Sequence, residues 1–167
     1  KLIVVSSTLL SEEERGVEES VLVSSDDMET GVVILRLPLV LVEGNQNTTL
    51  GRVFQGMKRN VKTLTVPNMK NENFEFFPMR DAFSLMKKIS LAGRENGVFN
   101  LPGEHVISKG QMQREISAAG CRTKLQSEGK VYNYCDEGDI SQLMVRYGFI
   151  IRDKKQLEFL DLYEQYL

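Results

Sequence analysis

The sequence predicts an α+β fold of short strands in small sheets, with peripheral helices and a helix at the C-terminal end. Three stretches carry that expectation. VVILRLPLVLV at 32–42 is apolar nearly throughout, as a strand buried on both faces is. KVYNY at 130–134 alternates β-branched and aromatic residues, and ISQLMVRY at 140–147 then sets Ile140, Leu143, Met144 and Tyr147 on one face of a short helix. KKQLEFLDLYEQYL at 154–167 has a wide apolar stripe of Leu157, Leu160, Leu162, Tyr163 and Leu167, which predicts a helix that docks on protein.

Taken in order, residues 2–5 form a short apolar run that suits an edge strand, and SEEERG at 11–16 reads as a charged loop or a single helical turn. SVLVSS at 20–25 reads as a strand, DDMETG at 26–31 as its turn, and 32–42 as the next strand, bent at Pro38. Residues 43–49 form a polar loop, and LGRVFQGMKRN at 50–60 a short helix with Leu50, Val53, Phe54 and Met57 inward. Pro67 and the NMKNEN patch make 61–80 a reduced, loop-rich insert. Asp81 is expected to cap a helix running to about Gly93. KGQMQREISAAGC at 109–121 is an amphipathic helix with Met112, Ile116 and Ala119 inward. In CDEGD at 135–139, Gly138 supplies a bend and Asp139 an N-cap, and Gly148 ends the following helix.

Composition narrows the function classes. With 167 residues the chain suits one domain with an appendage, placed here as a domain over 1–152 and a docking helix over 153–167. Apolar content of 41%, charged content of 26% and a net charge of −2 give no basic bias toward nucleic acid or membrane. Cys121 and Cys135 have no CxxC spacing and His105 is the single histidine, so no metal site is expected. Reduced thiols and the lack of a long apolar run point to an intracellular protein without a membrane span. The chain begins at Lys1, which suits a fragment or a processed form.

Four stretches, in order, resemble the SET-domain protein methyltransferases, in particular the branch of Rubisco large-subunit methyltransferase. VSSDDMETGVVILRLP at 23–38 looks like the entrance strands of that fold, and LGRVFQGMKRN like the segment that follows them. VFNLPGEHVIS at 98–108 follows the rhythm of the family's cofactor signature, and VYNY at 131–134 with RYGFI at 146–150 its closing strand, helix and Tyr-Gly-Phe. The resemblance implies a SET-like β-clip fold. It also implies Tyr147 as the catalytic tyrosine and Tyr134 as the second aromatic of a lysine methyltransferase.

The cofactor positions are degenerate in the same comparison. Glu19, Ser20 and Val21 stand where a Gly-x-Gly turn is needed for backbone approach to S-adenosylmethionine. Ser108 and Lys109 stand where the Asn-His anchor belongs, and no Gly-x-Gly occurs anywhere in the chain. The expectation is therefore a SET-like domain without methyltransferase activity or cofactor, serving as a structural or protein-binding subunit whose partner sits on the C-terminal helix. The alternatives are an active S-adenosylmethionine-dependent lysine methyltransferase and, more remotely, a nucleic-acid-binding domain over 81–135.

Overall fold

The computed structural model describes residues 1–26, 31–42, 47–92, 96–134, 140–150 and 152–166. The chain folds as two compact units, each assembled from three separate segments. The first comprises Lys1–Pro38, Met79–Pro102 and Tyr134–Asp153, and the second Leu39–Pro78, Gly103–Asn133 and Lys154–Leu167.

In the first unit, β1 (Leu2–Ser7), α1 (Glu12–Asp26) and β2 (Val32–Leu37) form a strand–helix–strand crossover. β1 and β2 pair in parallel, Leu2 opposite Val32 through Ser7 opposite Leu37. Parallel neighbours cannot be joined by a tight hairpin, so residues 8–31 must travel back along the sheet, and a helix is the usual way. This is where the expected strand at 20–25 fails: SVLVSS lies inside α1. The helix starts with a capping box. Ser11 N–H donates to Glu14 Oε2 at 2.6 Å, and Glu14 N–H donates to Ser11 Oγ at 3.2 Å. Glu18 is buried, with Val21 and Leu22 half-buried one turn on, so α1 turns these positions toward the sheet.

The second unit opens with β3 (Leu39–Leu41), separated from β2 at Pro38 as the sequence suggests. α2 (Thr49–Lys58) follows, capped by Thr48 Oγ1, which accepts from Gly51 N–H at 3.0 Å. β4 (Thr63–Met69) and β5 (Asn73–Pro78) occupy the stretch expected to be a loop-rich insert. Pro67 lies within β4 at the point where pairing with β8 slips, so the missing N–H falls at a bulge and does not break the strand.

The chain then returns to the first unit with α3 (Met79–Leu91), which turns Ala82, Leu85 and Ile89 inward, and β6 (Gly97–Asn100). β6 lies parallel to β2, giving a sheet ordered β1-β2-β6. β7 (His105–Ser108), α4 (Lys109–Ala118) and β8 (Lys124–Tyr132) belong to the second unit, where β8 pairs in parallel with β4. α5 (Ile140–Tyr147) is the helix predicted from ISQLMVRY, and Gly148 leaves it at φ +60°. The bend and cap assigned to Gly138 and Asp139 lie outside the described residues. β9 (Lys155–Gln156) completes a sheet ordered β3-β5-β7-β9, and α6 (Phe159–Tyr166) closes the second unit. Its base is buried: Leu157 and Phe159 are sealed, and Phe54 of α2 packs on the rings of Phe159 and Tyr163 at 5.1 and 5.6 Å.

The architecture corrects the fold-class expectation. The β1-β2-β6 sheet is wholly parallel and carries a crossover helix, which is α/β organisation, not an α+β β-clip. The four buried residues Val32, Val33, Ile34 and Leu35 read correctly as a strand covered on both faces, but that pattern belongs to the centre of a parallel sheet.

Candidate functional site

A polar row crosses the first unit's sheet near the carboxyl ends of its strands. Ser6 is the register partner of Arg36, and Arg36 is that of Asn100. Paired residues of neighbouring strands project on one face, so a hydroxyl, a guanidinium and a carboxamide lie side by side. Thr8, two residues beyond Ser6, continues the row past the end of β1, while Ser7 projects on the opposite face. Ser7 Oγ accepts from Leu9 N–H at 3.0 Å, while Thr8 N–H donates to Leu37 O at 2.8 Å and its hydroxyl donates to the same carbonyl at 3.3 Å. Thr8, Arg36 and Asn100 are all buried, Thr8 to 3% exposure. Open parallel sheets bind ligands at this edge, because the turns leaving the carboxyl ends of the strands leave a crevice there.

Arg36 is held from α1. Its Nε donates to Glu18 Oε2 at 2.8 Å, and its Nη2 lies 2.6 Å from the same oxygen. Both side chains are only 7% exposed, and Glu18 Oε1 is buried without a hydrogen-bond partner. Enclosure makes this pair costly to break, since either charge alone would stay buried. It also neutralises the row. What the edge offers a ligand is a set of hydroxyl and amide groups around a compensated ion pair, which suits the hydroxyls of a sugar better than a bare anion.

The residues singled out by sequence fall elsewhere. Glu19 and Ser20 are exposed on α1, where Ser20 Oγ donates to Gly16 O at 2.8 Å, and Val21 is half-buried. They approach no turn that could cradle a cofactor backbone. Ser108 caps α4 by accepting from Gln111 N–H at 3.1 Å, and Lys109 Nζ donates to Ser127 Oγ at 2.7 Å, both within the second unit. Tyr147 is 5% exposed and meets Phe99 edge-on at a centroid distance of 6.3 Å, with Lys1 Nζ 6.0 Å from its ring. It packs in the first unit's core, and Tyr134 lies half-buried just beyond β8. In the second unit, burial and then the neighbouring Cys121 raise the Tyr163 phenol above its ordinary value. Among the described residues there is no metal-holding cluster of His, Cys, Asp and Glu, and no helix long and apolar enough to cross a membrane.

No protein-family model matches the chain, and no curated protein does. Solved structures do match its fold. MoeE5 in complex with UDP-glucuronic acid and NAD aligns with a TM-score of 0.67 at 18% identity, over 90% of this chain and 59% of that one. UDP-glucuronic acid 4-epimerase from Bacillus cereus, in complex with UDP-glucuronic acid and NAD, aligns at 0.66 and 16%, over 98% and 59%. The dTDP-glucose 4,6-dehydratase from Bacillus anthracis, in complex with NAD, aligns at 0.71 and 12%, over 99% and 61%. The chain thus has the Rossmann-like α/β fold of these proteins and spans about three-fifths of their length.

These likenesses overturn the SET resemblance and what it implied. The chain is not a SET-like domain, active or inactive, and the structural-subunit, lysine-methyltransferase and nucleic-acid-binding readings fall with it. The cofactor expectation is corrected too. The matching structures hold NAD, where the sequence suggested no cofactor, or S-adenosylmethionine in an active enzyme. The error has a physical origin. VVILRLP and YGF describe a buried strand and a helix end, which any fold with a packed sheet can use.

The residues of this chain do not build the pyrophosphate site of a dinucleotide. That site needs a glycine-rich turn opening a helix whose N-terminal N–H groups face the phosphates. The turn from β1 into α1 is Thr8-Leu9-Leu10-Ser11, the helix end is closed by its own capping box, and Glu12, Glu13 and Glu14 fill its first turn. Three carboxylates there repel an anion.

Proposed function

We propose that the chain forms part of a nucleotide-sugar enzyme of the NAD-dependent epimerase and dehydratase kind, and that its share of the site is the carboxyl edge of the β1-β2-β6 sheet. The observation that carries this reading is the Ser6–Arg36–Asn100 row with Thr8, on a fold otherwise found in structures complexed with UDP-sugars and NAD. The proposed ligand group is the hexose. Ser6 donates to and accepts from its hydroxyls, Arg36 stays fixed by Glu18, and the apolar strands beneath exclude water.

The test is calorimetric titration of the full-length protein with UDP-glucuronic acid and UDP-glucose, with and without NAD. Saturable binding, weakened about tenfold by Ser6→Ala through loss of roughly one hydrogen bond, is the expected result. Folded protein that binds neither ligand at millimolar concentration under either condition removes the proposal.

A further inference from the structure

We infer that the exposed face of α3 and α5 is a docking surface for an anionic phospholipid bilayer, into which Phe83, Leu91 and Val145 dip while Arg80 and Lys87 meet the headgroup phosphates. The inference is independent of the nucleotide-sugar reading.

α3 is apolar on its outer side as well as its inner one. Ala82, Leu85 and Ile89 form the buried stripe. The opposite side of a surface helix is ordinarily polar. Here Phe83 and Leu91 stand on that side two turns apart, with Lys87 midway and Arg80 one turn before Phe83. Phe83 is 62% exposed and Leu91 80%.

α5 and the residues after it extend this surface. Lys88 Nζ donates to Gly148 O at 3.3 Å, and Arg152 Nη1 lies 2.9 Å from Asp81 Oδ2, so the two segments run side by side. α5 buries Leu143 and Tyr147 and leaves Met144 and Val145 exposed, Val145 to 86%, with Ile150 exposed just beyond it. Half of the large apolar side chains exposed among the described residues thus gather on α3 and α5. Single exposed apolar residues are ordinary, whereas a cluster marks an interaction site.

The surface is positive, against a net charge of −2 for the chain. α3 carries Arg80, Lys87 and Lys88 against Asp81 alone, which Arg152 pairs, and α5 adds Arg146 without an acid. The exposed acids Glu12, Glu13, Glu14 and Glu19 belong to α1, which lies on the other face of the sheet. α1 holds Arg36, whose register partner is Asn100, while Tyr147 of α5 packs on Phe99. Phe99 and Asn100 are consecutive in β6 and project oppositely. Composition averages these two faces and so conceals the basic one.

The shape favours a bilayer over a protein partner. Protein anchors sit in well-packed pockets, and side chains lining a pocket are largely covered. Phe83, Leu91 and Val145 instead stand clear of the surface. Projecting apolar groups beside long cationic side chains suit a membrane interface, where the apolar ends enter the acyl boundary and the lysine and arginine stems reach toward phosphate. Among the described residues no helix can span a bilayer, so the attachment is peripheral and depends on anionic lipid.

The experiment is co-sedimentation of the full-length protein with phosphatidylcholine vesicles, with and without phosphatidylserine, at low and high salt. Binding to the anionic vesicles alone, weakened by salt, is expected. Arg80→Glu with Lys87→Glu should weaken it about twentyfold or more, and Phe83→Ser with Leu91→Ser about tenfold. Both variants should keep the native melting temperature, because all four residues are exposed. Val17→Ser, on α1, should bind as the native protein does. The sequence contains no tryptophan, so Phe83→Trp provides a single reporter whose emission should shift to the blue on anionic vesicles. Absence of binding, equal binding to neutral vesicles, or undiminished binding by the two double variants overturns the inference. Self-association in solution that these substitutions abolish, with no vesicle binding, overturns it in favour of a protein interface.

Discussion

Glu18 and Arg36 are the pair on which the candidate site depends. An arginine inside VVILRLP was the one sequence signal for it, because a charge within a strand buried on both faces requires a partner. Glu18, eighteen residues earlier, could be recognised as that partner only once 12–26 was seen to be helical. Replacing Glu18 with Leu leaves Arg36 buried and uncompensated, and should cost about 3–5 kcal/mol. The double substitution Glu18→Leu with Arg36→Met should recover most of that loss. Urea denaturation of Glu18→Leu, Arg36→Met and the double variant measures the coupling, and additive effects would show that the pair is not enclosed in solution.

Tyr163 gives a pH dependence. Its phenol is raised first by burial and then by Cys121, so the neutral form is favoured in the folded state. The stabilisation is fully present below the ordinary phenol value and is lost as pH rises through the higher folded value. Thermal melts from neutral pH into the alkaline range should fall more steeply for the native protein than for Tyr163→Phe. Parallel curves would contradict the assignment.

At the scale of elements, legibility followed the strength of the local period. α2, α4 and α5 were readable from apolar spacing, and the break between β2 and β3 from Pro38. α1 was not, because Val21 and Val23 imitate strand alternation, while the capping box Ser-x-x-Glu at 11–14 reads as a charged loop or at most a single helical turn. β4 and β5 were hidden by Pro67 and by the polar residues between them, since a bulge makes a proline compatible with a strand. Ser11→Ala should therefore lower stability by about 1 kcal/mol, measurable by denaturation, as the loss of an N-cap does. Gly103→Ala probes the second unit. A methyl there would collide with the Glu75 side chain and press on its backbone, so a loss of about 1–3 kcal/mol is expected. An unchanged melting temperature would mean the β5–β7 region yields freely.

For the whole molecule, composition indicated a globular chain with buried strands, but not which strands neighbour one another. Parallel pairing joins segments far apart in sequence, such as 33–36 with 97–100, and no local pattern records that register. The same gap explains why Ser6, Arg36 and Asn100 were not seen as one row: each is unremarked alone, and only the sheet aligns them. The central claim is that this row faces a sugar nucleotide. Two-dimensional NMR of the full-length protein titrated with UDP-glucuronic acid tests it directly. The account predicts saturable shifts concentrated at the amides of Ser6, Ser7, Thr8, Asn100 and Leu101, while those of Ser108, Lys109 and Gln111 stay in place. Shifts confined to the second unit, or none at saturating ligand, would contradict it.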